Sequence, residues 1–223
     1  MIVLMNTRSN FDSNLKQLKD MLIEMARKSE NAIKESIDAL KLQDLDKAKQ
    51  IINNDTIIDD LEHEINDKAI ILIAKESPVA RDLRKIIVAL KISSEIERIA
   101  DNAVNIAKST LHIGKEKHIK EIIDIPKMMD LALEMLGDSL TAFLTEDVEL
   151  ARNCAQKDDK VDEMYGKLIK ELMGYIQQNP DKTNQITQLA FVCRYIERLG
   201  DHSTNIAEHV IYLVTGKRYD LNA

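Results

Sequence analysis

Apolar residues recur along this chain at alternating spacings of three and four, the period of an α-helix that buries one stripe. Phe11, Leu15, Leu18, Leu22 and Met25, continued by Ala32, Ser36 and Ala39, predict a first helix that ends at the polar pair Gln43 and Asp44. A second helix is predicted from Leu45 to Glu76, with Ile51, Ile58, Ile65 and Leu72 as its apolar line. Ser77 and Pro78 read as an N-cap and a first-turn proline. They open a third helix to about Ile113, with Ala89, Ile92, Ile96, Ile99, Ala103 and Ile106 on its stripe. After a polar connection from Gly114 to Lys120, three more helices follow, near Ile125–Leu144, Asp147–Gln178 and Pro180–Leu213.

The halves match in their letters. Residues 97–107, Glu-Arg-Ile-Ala-Asp-Asn-Ala-Val-Asn-Ile-Ala, align with residues 197–207, Glu-Arg-Leu-Gly-Asp-His-Ser-Thr-Asn-Ile-Ala, with six identities in eleven at an offset of 100. A weaker match pairs Asp55, Ile58, Asp59, Asp60 and Leu61 with Asp158, Val161, Asp162, Glu163 and Met164 at an offset of 103. The expected fold is therefore all-α, two tandem three-helix bundles from an internal duplication, over residues 9–116 and 121–216.

Composition narrows the reading. With 6 Gly and 3 Pro in 223 residues, turn-formers are too few for a multi-stranded sheet. Trp is absent, aromatics are 4%, and the net charge is −7, which disfavours nucleic acid and anionic lipid as partners. The first ten residues are too short and too polar in their apolar part for a secretory signal, and no stretch is long and apolar enough to span a bilayer, so an intracellular soluble protein is expected. Cys154 and Cys193 lack CxxC spacing and lie within helical patterns, which predicts buried thiols.

Four acid pairs at i,i+4 sit at equivalent places in the repeats: Asp55 with Asp59, Glu97 with Asp101, Asp158 with Asp162, and Glu197 with Asp201. With 38 acids in the chain such pairs arise by chance, and Glu134 with Asp138 is one of those. Placement is what distinguishes the four. Each pair puts two carboxylates on one helix face, and neighbouring helices would bring four together in an exposed or half-exposed groove. An oxygen-only donor set suits hard cations such as Mg²⁺, Ca²⁺ or Mn²⁺, or iron. The plain alternative is a solvated acidic face balanced by Arg98, Arg198 and nearby lysines. His202 and His63 are candidate accessory ligands, with isolated surface histidines as the favoured reading. Glu-x-x-His, Gly-rich phosphate loops, Gly-x-Ser-x-Gly and His-Glu-x-x-His are all absent from the sequence, so no catalytic site is indicated. A two-metal hydrolase or phosphatase using the same acids is the competing enzymatic reading. Arg81, Arg84 and Lys85, early in the third helix, are candidates for a partner or an anion. The second half has Asp181, Lys182 and Asn184 there.

The duplicated Glu-Arg-x-x-Asp with Asn-Ile-Ala following, together with the Pro-Val-Ala-Arg-Asp-Leu-Arg run at residues 78–84, resembles the PhoU family of phosphate-transport regulators over nearly the whole chain. The resemblance implies a cytoplasmic, non-enzymatic regulator that restrains phosphate uptake and phosphate-starvation signalling. Its implied partners are the ATPase subunit of the phosphate ABC transporter, a phosphate-sensing histidine kinase and a second copy of itself, with membrane proximity only through those partners. It also implies metal ions, Mn, Mg, Fe or Zn, at Asp55, Asp59, Glu97, Asp101, Asp158, Asp162, Glu197 and Asp201. Ala100 stands where the family often has Gly and where the second half has Gly200; its methyl is expected to restrict the first site.

Overall fold

The structure, a computed structural model, describes residues 2–221, with side chains from Asn10 onward; the apolar opening of the chain lies outside the described side chains. Seven α-helices carry the fold: α1 (Ile2–Leu42), α2 (Leu45–Asn54), α3 (Thr56–Glu76), α4 (Arg81–Ile113), α5 (Asp124–Thr145), α6 (Val148–Gln178) and α7 (Thr183–Thr215). A single 3₁₀ turn, Pro180–Lys182, leads into α7. Helices α1 to α4 form one bundle and α5 to α7 the other, and no strand occurs among the described residues.

The second predicted helix is interrupted at Asp55, which keeps right-handed dihedrals (φ −55°, ψ −41°), so α2 and α3 follow one another as arms of one rod. The third starts later than predicted. Ser77 takes left-handed dihedrals (φ 45°, ψ 53°) and donates its N–H to Ile73 O, ending α3 instead of capping α4. Pro78 consequently lies in the connection, and α4 begins at Arg81 after Ala80, which holds φ 49°, ψ −112°.

The α1–α2 and α5–α6 turns are built alike. Gln43 and Glu146 both sit at positive φ (53° and 55°), and each precedes an aspartate N-cap. Asp44 accepts from Lys47 N at 2.9 Å, and Asp147 accepts from Glu149 N at 2.9 Å and Leu150 N at 3.0 Å. Glycine is the usual occupant of a left-handed C-terminal position. Here the side chains are used: Gln43 donates to Gly114 O (3.1 Å) and Glu116 O (2.5 Å), while Glu146 pairs with Arg81 and, at 3.5 Å, with Lys85.

The two bundles meet along α4 and α7, which run antiparallel. Each is buried on several faces, through Ile92, Ile96, Ile99, Ala103 and Ile106 on α4 and Val192, Ile196, Leu199, Ile206 and Val210 on α7. Each helix also satisfies the other's C-terminal carbonyls. Arg84 donates to Tyr212 O (3.5 Å) and Leu213 O (3.4 Å), and Asn184, its counterpart at the offset of 100, donates to His112 O (3.2 Å). Gly216 permits the Arg84 contact, because a Cβ there would lie 2.7 Å from Arg84 Nη1. The 114–123 connection is tied across the seam by Gln185, whose Oε1 accepts Ile119 N at 2.7 Å and whose Nε2 donates to Lys117 O at 3.2 Å. Cys154 and Cys193 are buried free thiols, pushed up to about 12 by burial. No helix among the described residues is long and apolar enough to cross a membrane.

Candidate metal site

Both carboxylate groups predicted from the repeat are brought together. In the first, Asp55 and Asp59 at the α2–α3 junction face Glu97 and Asp101 of α4, and Glu62 joins them. Burial pushes the Glu97 carboxyl up to about 7, reinforced by Asp101, Glu62 and Asp59 and opposed by Arg98. Asp55 is raised by burial, then by Asp59 and Asp101. In the second, Asp158 and Asp162 of α6 face Glu197 and Asp201 of α7. Burial raises Glu197 to about 7, with Asp201 adding and Arg194 opposing; Asp158 rises to about 6, chiefly by burial, against the Thr204 hydrogen bond. These shifts are the signature of like charges held together while partly desolvated.

The second group lies deeper than the predicted half-exposed groove: Asp158 is 7% and Glu197 8% exposed. Two substitutions within the repeat account for this. Gly200 stands where the first half has Ala100, and a Cβ on it would lie 2.8 Å from Asp158 Oδ1. Thr204 stands where the first half has Val104, and its hydroxyl donates to Asp158 Oδ2 at 3.1 Å. Asp158 therefore folds inward, whereas Asp55 stays half-buried beside Ala100 and Val104 at a cavity of 170 Å³. The groups also differ in charge balance. Arg194 pairs with Glu197 in the second group, where the equivalent first-half residue is Ser94, and Lys108 and Arg98 oppose the acids of the first. Glu62 adds an acid to the first and Asp159 one to the second, where the other half has Tyr165 and Thr56.

Asp158 Oδ1 and Glu197 Oε2 are buried without a hydrogen-bond partner. Buried carboxylate oxygens rarely lack a partner, and a hard cation is one chemistry that satisfies them. The donor set fits such an ion in kind: every candidate is an oxygen, and four acids face each other in each group. As the side chains stand, no group of three or more His, Cys, Asp or Glu among the described residues is arranged to hold a metal ion.

The candidate histidines lie elsewhere. His63 is exposed, and His202 is buried at the seam, 7% exposed, with Nδ1 2.7 Å from Glu95 Oε2. The surface reading of His202 is thus corrected: Glu95 and His202 are brought together by antiparallel packing of α4 on α7, which helical spacing within one segment does not reveal. Arg81, Arg84 and Lys85 all make contacts between the halves, Arg81 and Lys85 with Glu146 and Arg84 with the α7 terminus. Glu62, Arg194 and Thr204 escaped sequence reasoning. Glu62 and Arg194 each stand three residues from a named acid on the same helix face, and that spacing is the signal that would have found them.

The PhoU domain matches the chain twice, at residues 22–110 and 125–210, and each match contains one carboxylate group. A Clostridium acetobutylicum protein named phosphate-specific transport system accessory protein PhoU homolog is 41% identical over 217 residues, covering 97% of this chain and 99% of that one. The crystal structure of the phosphate transport system regulatory protein PhoU from Streptococcus pneumoniae superposes with a TM-score of 0.87 at 30% identity, covering 94% of this chain and 99% of that chain. The structure of PhoU from Pseudomonas aeruginosa also gives 0.87 at 30% identity, covering 93% of this chain and 100% of that one. With two domain matches that between them take in both carboxylate groups, and relatives alike in sequence and in shape from end to end, the chain belongs to the PhoU family.

Proposed function

We propose that this protein is a cytoplasmic, non-catalytic regulator that restrains phosphate uptake and phosphate-starvation signalling through protein contacts. The observation that carries the reading is the paired PhoU domain at residues 22–110 and 125–210, shared with relatives named as accessory proteins of phosphate-specific transport. Its partners in this reading are the ATPase subunit of the phosphate ABC transporter, a phosphate-sensing histidine kinase and a second copy of the chain. A pull-down from phosphate-replete cells should recover the ATPase subunit and the kinase; recovery of neither would remove the partner assignment.

Metal ions, Mn²⁺, Mg²⁺, iron or Zn²⁺, belong to the same proposal. Asp55, Asp59, Glu97 and Asp101 would hold them in the first half, and Asp158, Asp162, Glu197 and Asp201 in the second. A bound ion supplies the positive charge that lets these acids stay ionised side by side. The protein's part is to hold two helices so that their acids face one another, and to choose how deep each group lies. The inward turn of Asp158 beneath Gly200 and Thr204 makes the second group recessed; the first is more open. Titration with Mn²⁺, Fe²⁺ and Mg²⁺ should show binding that is reduced in a Glu197→Ala, Asp201→Ala variant. Binding unchanged by that variant would reduce the second group to acidic surface.

A further inference from the structure

Outside the carboxylate groups, a cavity of 190 Å³ opens at one end of the α4–α7 seam, lined by Lys91, Glu208, His209, Tyr212, Arg218 and Tyr219. That is roughly six waters' share of liquid volume. It draws on both halves of the chain: Lys91 comes from α4, Glu208, His209 and Tyr212 from α7, and Arg218 and Tyr219 from the segment after Gly216. The segment is drawn over the cavity by Leu221, whose N–H donates to Glu208 Oε1 at 2.8 Å.

Donors and acceptors around this cavity are unequally occupied. Glu208 accepts from Leu221, and Glu95 behind it accepts from His202 and from Asn205 Nδ2 at 3.2 Å. Among the described residues, by contrast, neither Lys91 nor Arg218 makes an ion pair. The Arg218 guanidinium stands 6.0 Å from the Tyr212 ring centroid and leaves its N–H edge available. Two cations without an ion pair thus line a polar cavity beside carboxylates that already accept at one oxygen each, Glu208 at Oε1 and, behind it, Glu95 at Oε2. Two unfilled cationic donor groups facing one cavity match a ligand that carries several acceptor oxygens and negative charge.

The fold does not require this arrangement. At the offset of 100, Lys91 and His209 match Phe191 and Ser109, while Glu208, Tyr212 and Arg218 match Lys108, His112 and His118, so the pseudo-equivalent end of the seam arranges its charged and polar groups differently. The combination of Lys91, His209 and Arg218 is particular to one end of a duplicated framework.

We propose that the cavity bounded by Lys91, His209, Arg218 and Tyr219 is a binding site for a small multivalent oxyanion, a phosphate-sized group held across the seam between the two halves. His209 offers an internal reporter. Burial and then Lys91 hold its imidazole down at about 4, with Arg218 acting the same way and Glu95 opposing. An anion beside it raises the pKa and moves its ring resonances.

The test is an NMR titration of the full-length protein in a chelating buffer, which keeps the carboxylate groups free of metal, with the ring signal identified by its loss in His209→Gln. Inorganic phosphate at millimolar concentration should shift the His209 signals, and Lys91→Gln or Arg218→Gln should each weaken binding by about tenfold. Both side chains are exposed and Arg218 lies beyond the last helix, so an unchanged melting temperature accompanies each variant. A parallel titration with glycerol 2-phosphate separates sources: tighter binding of the bare ion assigns free phosphate, and tighter binding of the ester assigns the phosphoryl end of a larger molecule. No shift with either, or a shift undiminished in the Lys91→Gln, Arg218→Gln double variant, overturns the site. The outcome is independent of the metal and partner proposals, since the titration contains neither.

Discussion

At the level of single residues, the raised carboxyls set a pH dependence whose sign is unusual. An acid whose pKa is higher in the folded than in the unfolded chain adds stability that is fully present below the unfolded value and is lost as pH rises through the folded value. Glu97 and Glu197 go from 4.5 to about 7 and Asp158 from 3.8 to about 6, so the window runs from about pH 4 to about pH 7. Metal-free protein is expected to melt at lower temperature as pH rises from 5 to about 8, and Glu97→Gln is expected to flatten that slope and raise the melting temperature at the alkaline end. A slope indifferent to this substitution would detach the effect from the first group. Gly200→Ala tests the recess of the second. The added methyl must displace Asp158 Oδ1, turning the carboxylate outward as at Asp55, and the Asp158 carboxyl should titrate below its present value of about 6. Carbon-detected NMR of the side chain reads this directly. The Gly200/Ala100 difference was visible in the letters, but the consequence was not: it needed the position of an oxygen on a different helix.

At the level of elements, the helices were legible because their apolar spacing is nearly unbroken. Helix ends were legible only where chemistry marked them. Asp44 and Asp147 follow the usual N-cap preference and fall where the pattern places a turn. The end of α3 was misread because Ser77 is a good N-cap residue that here takes a left-handed C-terminal conformation, and Ala80 then adopts a positive φ that no alanine advertises. Ala80→Gly should relieve that backbone and stabilise the fold by about 1 kcal/mol, a rise of roughly 2–4 °C in a chain of this size. Glu146 combines a strained backbone with a useful side chain. Its carboxylate gathers Arg81 and Lys85 from α4 and lies near Lys19, whose Nζ sits 5.3 Å from the Phe143 ring centroid. Glu146→Ala keeps the strain and loses the network, whereas Glu146→Gly loses the network and relieves the strain. The glycine variant should therefore melt above the alanine variant by a few degrees, corresponding to about 1–2 kcal/mol. The reverse order would show that the positive φ costs nothing there.

For the whole molecule, the duplication explains what the halves share and the seam explains what they do not. Helical periodicity identifies a buried stripe but not its partner, so the packing of α4 on α7 lay beyond the sequence pattern. That packing buries His202 against Glu95, places Arg84 and Asn184 on each other's helix ends, and makes two repeats one body. Around this shared spine the carboxylate groups diverge, one more open and opposed by Arg98 and Lys108, one recessed and paired with Arg194. Such a scaffold offers surfaces and charge, which suits a protein that acts by contact. The most direct measurement is phosphate uptake, together with a phosphate-starvation reporter, in phosphate-replete cells with and without this protein. Loss of the protein is expected to leave uptake and the reporter abnormally high, and restoring the chain to lower both; cells in which neither changes would contradict a restraining role.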